Sequence, residues 1–165
     1  MGRRLRSASV LFSVLAALTV PIQALAGEQV PLKGSETGQF SLTPGGVCPA
    51  GSLQIDVAGS GNATHIGDYT VAARECLNPT TLLVFSGGVT IAAANGDTII
   101  GTYSGEVSIA AEGVLTYEHD VEITGGTGRF AEASGSYHAH GLLTGPDTYS
   151  QTLAGTVSSP GAAKR

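Results

Sequence analysis

From about residue 53 onward, apolar and polar side chains alternate along the chain with a period of two. Leu53, Ile55 and Val57 face one way and Gln54 and Asp56 the other, up to the turn-like run Gly59-Ser60-Gly61-Asn62. The next segment sets His65, Tyr69, Val71 and Ala73 against Thr64, Asp68, Thr70 and Arg74, and Asn78-Pro79 ends it. A long apolar strand follows, interrupted at Gly87-Gly88, which reads as a bulge or bend. Asn95-Gly96 then predicts a hairpin with a type I′ turn, because that turn needs positive φ at both central positions.

The second half of the chain alternates more cleanly still. Ile99, Gly101, Tyr103, Gly105, Val107 and Ile109 oppose Thr98, Thr102, Ser104, Glu106 and Ser108. Beyond Glu112-Gly113, Leu115, Tyr117, His119, Val121 and Ile123 oppose Thr116, Glu118, Asp120, Glu122 and Thr124, which puts His119 on the apolar face. At Ile123–Gly135 a strand enters a corner built from Gly125, Gly126 and Gly128, with Phe130 as an inward plug. Two last strands flank Gly145-Pro146, and residues 159–165 form a frayed tail.

No helical period follows the N-terminal leader. The pattern predicts an all-β fold, an antiparallel up-and-down barrel of about eight strands over residues 51–158, with a two-sheet sandwich as the alternative. Glycines on the inner face favour the barrel, since they relieve crowding where strands coil and close. Residues 27–50 read as an irregular lead-in with one strand near Gln39–Leu42.

Composition changes this picture in two respects. Arg3, Arg4 and Arg6, the apolar run Val10–Val20 and Ala24-Leu25-Ala26 predict a secretory signal peptide over residues 1–26, because the apolar run is about half of the roughly 20 residues that span a bilayer. Its removal takes away three arginines and moves the net charge from −5 to −8, so neither nucleic acid nor an anionic membrane is an expected partner. The expected location is therefore periplasmic or extracellular. In such a compartment Cys48 and Cys76, the two cysteines of the chain, are expected to form a disulfide.

Candidate chemistry is sparse. No phosphate loop, nucleophile elbow or dinucleotide fingerprint occurs, since the Gly-Gly-Thr-Gly run leads into a strand and not into a helix N-terminus. His138 and His140 share a strand face and could ligate a metal given a third ligand, but they read as solvent-facing, and neither metal nor cofactor is expected. The inner faces gather His65, Tyr69, Tyr103, Tyr117, His119, Tyr137, Tyr149 and Gln151. Of these, His65, Tyr69, Tyr103, Tyr117, His119 and Tyr149 are the candidate ligand-binding residues, and His119 is the candidate acid or base.

The run "VEITGGTGRFAEASGSY", preceded by the hairpin "TIIGTYSGEVSIAAEGVLTYEHD", resembles the signature of the dirigent and allene oxide cyclase superfamily. "NATHIGDYTV", with "NGD" downstream, is similar to exported bacterial relatives. The resemblance implies an eight-stranded antiparallel barrel, often a homotrimer. In allene oxide cyclases, a pocket with a carboxylate and ordered water cyclises an unstable fatty-acid epoxide without a cofactor; in dirigent proteins, a pocket steers the coupling of phenoxy radicals. Three functions follow as expectations: a lumen that binds a small apolar or aromatic molecule, a cofactor-free isomerase or cyclase, or a solid structural module of the envelope.

Overall fold

The computed structural model describes residues 28–110 and 113–158; the expected signal peptide and C-terminal tail lie outside them. Eight strands run in order: β1 Gln29–Pro44, β2 Leu53–Ala63, β3 Gly67–Leu77, β4 Leu83–Ala93, β5 Thr98–Ile109, β6 Leu115–Gly126, β7 Gly135–Leu143 and β8 Thr148–Ser158. Each pairs antiparallel with its neighbour, and β1 pairs with β8 from Gln29 opposite Ser158 to Gln39 opposite Thr148, so the sheet closes into an up-and-down barrel. Closure leaves no free sheet edge.

The expected lead-in at residues 27–50 is corrected: most of it is β1, a strand of 16 residues that closes the barrel. Its inward positions Val30, Leu32, Glu36 and Phe40 follow the strand period, but Gly34, Gly38 and an inward carboxylate interrupt the apolar pattern. The expected turn at Gly59–Asn62 is likewise part of β2. These glycines accommodate aromatic rings: a Cβ on Gly61 would collide with the Tyr69 ring and hydroxyl, and one on Gly59 with the Tyr149 hydroxyl.

The chain reverses instead at Thr64–Ile66, where His65 has φ 66° and is exposed. His65 is therefore not on the inner face, because the count by twos was carried through a turn. At Asn95-Gly96 only Gly96 has positive φ (87°), Gly96 N–H donates to Ala93 O, and Ala93 N–H donates to Asp97 O. This is a three-residue loop with glycine in the left-handed position, and not a type I′ turn.

The interruption in β4 is a bulge. Two residues, Ser86 and Gly87, lie opposite Glu75 on β3, and the register with β5 shifts between Val84 and Gly87. The extra residue switches the inward parity of β4, so that Val84 is buried before the bulge and Gly87, Val89 and Ile91 after it. Ser86 carries the backbone irregularity with φ 54°. Bulges commonly re-aim side chains beside functional sites.

The glycine corner closes one end of the barrel. Gly125 and Gly128 take positive φ (150° and 57°), whereas Gly126 is needed for its close approach to Thr98 and Phe130. A 3-10 turn at Gly128–Phe130 drives Phe130 inward to 1% exposure. Arg129 ties the corner to two other loops, donating from Nη2 to Ile66 O at 2.9 Å and lying 3.7 Å from Asp97 Oδ2. Phe130, Leu32, Ile91, Ile99 and Val157 are the largest fully buried side chains and make this half solid.

At the opposite end, the loop between β1 and β2 folds over the outer wall. Its Val47 N–H donates to Gln54 Oε1, and Cys48 is bonded to Cys76 on β3, as expected.

Candidate functional site

The open half of the barrel encloses a cavity of about 190 Å³ lined by side chains from all eight strands. Most of the wall is apolar, with Phe40 and the aliphatic Leu42, Ile55, Val57, Val71, Ala73, Leu77, Val89, Val107, Leu115, Val121, Ala139 and Leu143. The mouth is apolar as well. Leu42, Ile109 and Val114, in the strand ends and loop at that end, are exposed.

Inward glycines make the room. The Tyr103 ring lies against Gly87, the Tyr117 ring against Gly141 and the His119 ring against Gly105, each on a neighbouring strand where a Cβ would collide with the ring. The rings lie along the wall and the lumen stays open. His119 is held between Tyr103 and Tyr117, at ring-centroid distances of 5.0 and 4.9 Å.

Two polar clusters interrupt the apolar wall. In the first, Glu36 is buried and accepts three hydrogen bonds, from Tyr69 Oη (3.1 Å), Tyr149 Oη (2.6 Å) and Gln151 Nε2 (2.9 Å). Tyr117 Oη donates in turn to Gln151 Oε1 at 3.1 Å. Burial raises the pKa of Glu36 and the three donors oppose that shift. Burial and the nearby Glu36 charge raise the pKa of the Tyr69, Tyr117 and Tyr149 phenols, so they stay protonated as donors.

The second cluster is unsatisfied. Glu75 Oε2 and His119 Nε2 are both buried, have no hydrogen-bond partner among the described residues and lie 3.7 Å apart. Burial pushes the Glu75 carboxyl up to about 7, against the effect of the Tyr103 hydroxyl beside it. Burial also pushes His119 down to about 4, leaving a neutral imidazole at physiological pH. A buried polar atom without a partner costs roughly 1–3 kcal/mol, so this pair is a place where a guest group would be stabilised.

Of the six ligand-binding residues expected from sequence, Tyr103, Tyr117, His119 and Tyr149 line the cavity. Tyr69 is buried and reaches the site only through its hydroxyl on Glu36, and His65 is remote in its turn. Glu36 and Glu75 were not among the expected site residues. Glu75 carried a signal, since it continues the Val71–Ala73 alternation; Glu36 lay in the part of β1 that precedes the strand expected near Gln39–Leu42.

His138 and His140 face outward as expected, 3.0 Å from Asp120 and 3.3 Å from Glu118 respectively, and all four are exposed. Among the described residues no group of three or more His, Cys, Asp or Glu side chains is arranged to hold a metal ion. No family model, curated protein or solved structure matches the chain.

Proposed function

We propose that this protein is an exported container whose lumen binds a small apolar or aromatic molecule through the open end of the barrel. The observation that carries this reading is the cavity of about 190 Å³, with its aliphatic wall and convergent polar groups. Its size limits the guest. A dry cavity of about 150 Å³ is known to accept benzene, whereas drug-sized pockets start near 300 Å³. A single ring or short branched chain fills the lumen, and the apolar rim supports a tail that continues past the mouth. The Cys48–Cys76 disulfide supports an oxidising compartment, and the resemblance to dirigent and allene oxide cyclase barrels supports both a ligand-holding lumen and assembly as a trimer.

The test is calorimetric titration of the purified barrel with toluene and indole, beside an Ala73→Phe variant whose new ring would occupy the lumen. Saturable binding to the native protein that is lost in a folded Ala73→Phe variant is expected. Equal behaviour of the two proteins would overturn the reading and leave the solid-module function.

The Glu75–His119 pair favours a second reading, a cofactor-free isomerase or cyclase. A carboxyl held near 7 is matched to proton transfer at neutral pH better than an imidazole held near 4, so Glu75 and not His119 would be the acid–base group. Exchange of the α-hydrogens of cyclopentanone into D2O, followed by NMR and absent in Glu75→Gln, would support it; identical exchange in both proteins would remove it.

A further inference from the structure

We propose that the guest of this lumen carries a protonated amine, seated between Glu75 and His119 with its apolar body against the aliphatic wall. This rests on the lumen being a binding site and adds the chemistry of the head group.

The argument is a balance of donors and charge. Three phenol donors of the lumen are engaged, Tyr69 and Tyr149 by Glu36 and Tyr117 by Gln151, while the Tyr103 hydroxyl stands beside Glu75 and Tyr137 also lines the wall. What is left over on the cavity wall is Glu75 Oε2, which as a carboxylate can only accept, and His119 Nε2, which accepts when the neutral ring carries its proton on Nδ1. With Glu75 ionised and the His119 proton on Nδ1, both unpartnered atoms are acceptors. Charge is unbalanced in the same sense. Two carboxylates are buried in the barrel, while Lys33, Arg74 and Arg129, the cations among the described residues, are absent from the cavity lining.

An ammonium group answers both deficits, with one N–H for Glu75 Oε2 and a second for His119 Nε2. The Tyr103 and Tyr117 rings that flank His119 add faces toward which a cation is attracted. A neutral alcohol offers a single donor and no charge.

The groups facing Glu75 can be named strand by strand. They are Glu36 on β1, Tyr103 on β5, Tyr117 and His119 on β6, Tyr137 on β7 and Tyr149 on β8, while β2 and β4 present only Ile55, Val57 and Val89 to the cavity. Between pH 5 and 8 the phenols remain neutral, as burial holds their pKa high. Glu75, and to a lesser extent Glu36, sets how the site responds to pH.

The experiment compares toluene, benzyl alcohol and benzylamine, three probes with the same ring, by calorimetry at pH 8 and pH 5 on native protein and on Glu75→Gln and Glu36→Gln. Benzylamine is expected to bind at least tenfold more tightly than benzyl alcohol at pH 8. That advantage should shrink severalfold at pH 5 and in folded Glu75→Gln, with toluene affinity unchanged. Benzyl alcohol or toluene matching benzylamine at pH 8 would overturn the amine assignment and leave the lumen as a binding site. Failure of all three probes would overturn the binding reading itself, and the pH comparison on native protein decides the matter should either variant not fold.

Discussion

Gly105 and His119 face each other across the β5–β6 ladder, and the imidazole lies so close to the glycine that an added Cβ would sit 2.6 Å from His119 Cδ2. The absence of a side chain on β5 is what lets His119 lie along the wall between Tyr103 and Tyr117. The same Cβ would fall closer still to the Glu118 backbone carbonyl oxygen, so Gly105→Ala is expected to destabilise the barrel by about 1–3 kcal/mol through overpacking against the β6 backbone and to displace the imidazole with it. Gly88 faces open space with an ordinary backbone conformation, so Gly88→Ala is the matched control, expected to stay within about 0.5 kcal/mol. Urea denaturation midpoints of the two variants measure the difference.

Glu75 and His119 should pull the pH dependence of stability in opposite directions. Raising the Glu75 pKa from 4.5 in the unfolded chain to about 7 in the fold means that stability is fully present below pH 4.5 and is lost as pH rises to 7. Lowering His119 from 6.5 to about 4 means that stability is fully present above pH 6.5 and is lost as pH falls to 4. Each shift amounts to roughly 3 kcal/mol at 1.36 kcal/mol per pKa unit, and over pH 4.5–6.5 the two slopes largely cancel in the native protein. The variants separate them. Glu75→Gln is expected to lose stability as pH falls through this window, softened by the raised pKa of Glu36, and His119→Gln to lose it as pH rises. Denaturant titrations between pH 4 and 8 give both slopes, and parallel profiles for the two variants would contradict the assignment.

The barrel was legible because its strands obey the period of two over long runs, and His119 was placed correctly by counting along an uninterrupted β6. Reading failed where a residue served packing against a distant strand. Gly59 and Gly61 look like a turn locally, yet they make space for Tyr149 and Tyr69, which arrive from β8 and β3. His65 was misplaced because the side-chain period has no meaning through a reversal whose residues have positive φ. Glu36 was hidden for a related reason: an inward carboxylate violates the apolar pattern that reveals a strand, and its burial is made tolerable by the phenols of Tyr69 and Tyr149 and the amide of Gln151. The same alternation that revealed Tyr69 and Val71 reached Glu75, but a charged residue on a dry face has no meaning until its neighbours are known.

Phe130 and the cavity occupy opposite halves of the barrel, which makes stability and binding separable. Phe130 is 1% exposed, with the Arg129 guanidinium 4.6 Å from its ring centroid, and it is absent from the cavity lining. Phe130→Ala is expected to cost about 3–5 kcal/mol, the range for emptying a buried aromatic site. Toluene affinity of the fraction that remains folded should be unchanged. A parallel loss of affinity, measured by calorimetry well below the unfolding midpoint, would show that the corner and the lumen are coupled.

The disulfide joins stability to the site more directly. Cys48 and Cys76 are 28 residues apart, and closing a loop of that length constrains the unfolded chain by roughly 3–4 kcal/mol in the entropic account. Cys76 immediately follows Glu75, and Cys48 Sγ lies 3.7 Å from the Glu75 carbonyl oxygen, so the bond anchors the outer side of the segment that points Glu75 inward. Replacing both cysteines by serine is expected to lower the unfolding free energy by about 2–4 kcal/mol in guanidinium titrations, and to match the native protein measured under reductant. Among the molecules that stay folded, the preference for benzylamine over benzyl alcohol should fall more than the affinity for toluene, because β3 supplies only Val71, Ala73 and Leu77 of the apolar wall, whereas the carboxylate sits directly beside the bond. A uniform weakening of all three probes would mean instead that the bond acts on the barrel as a whole.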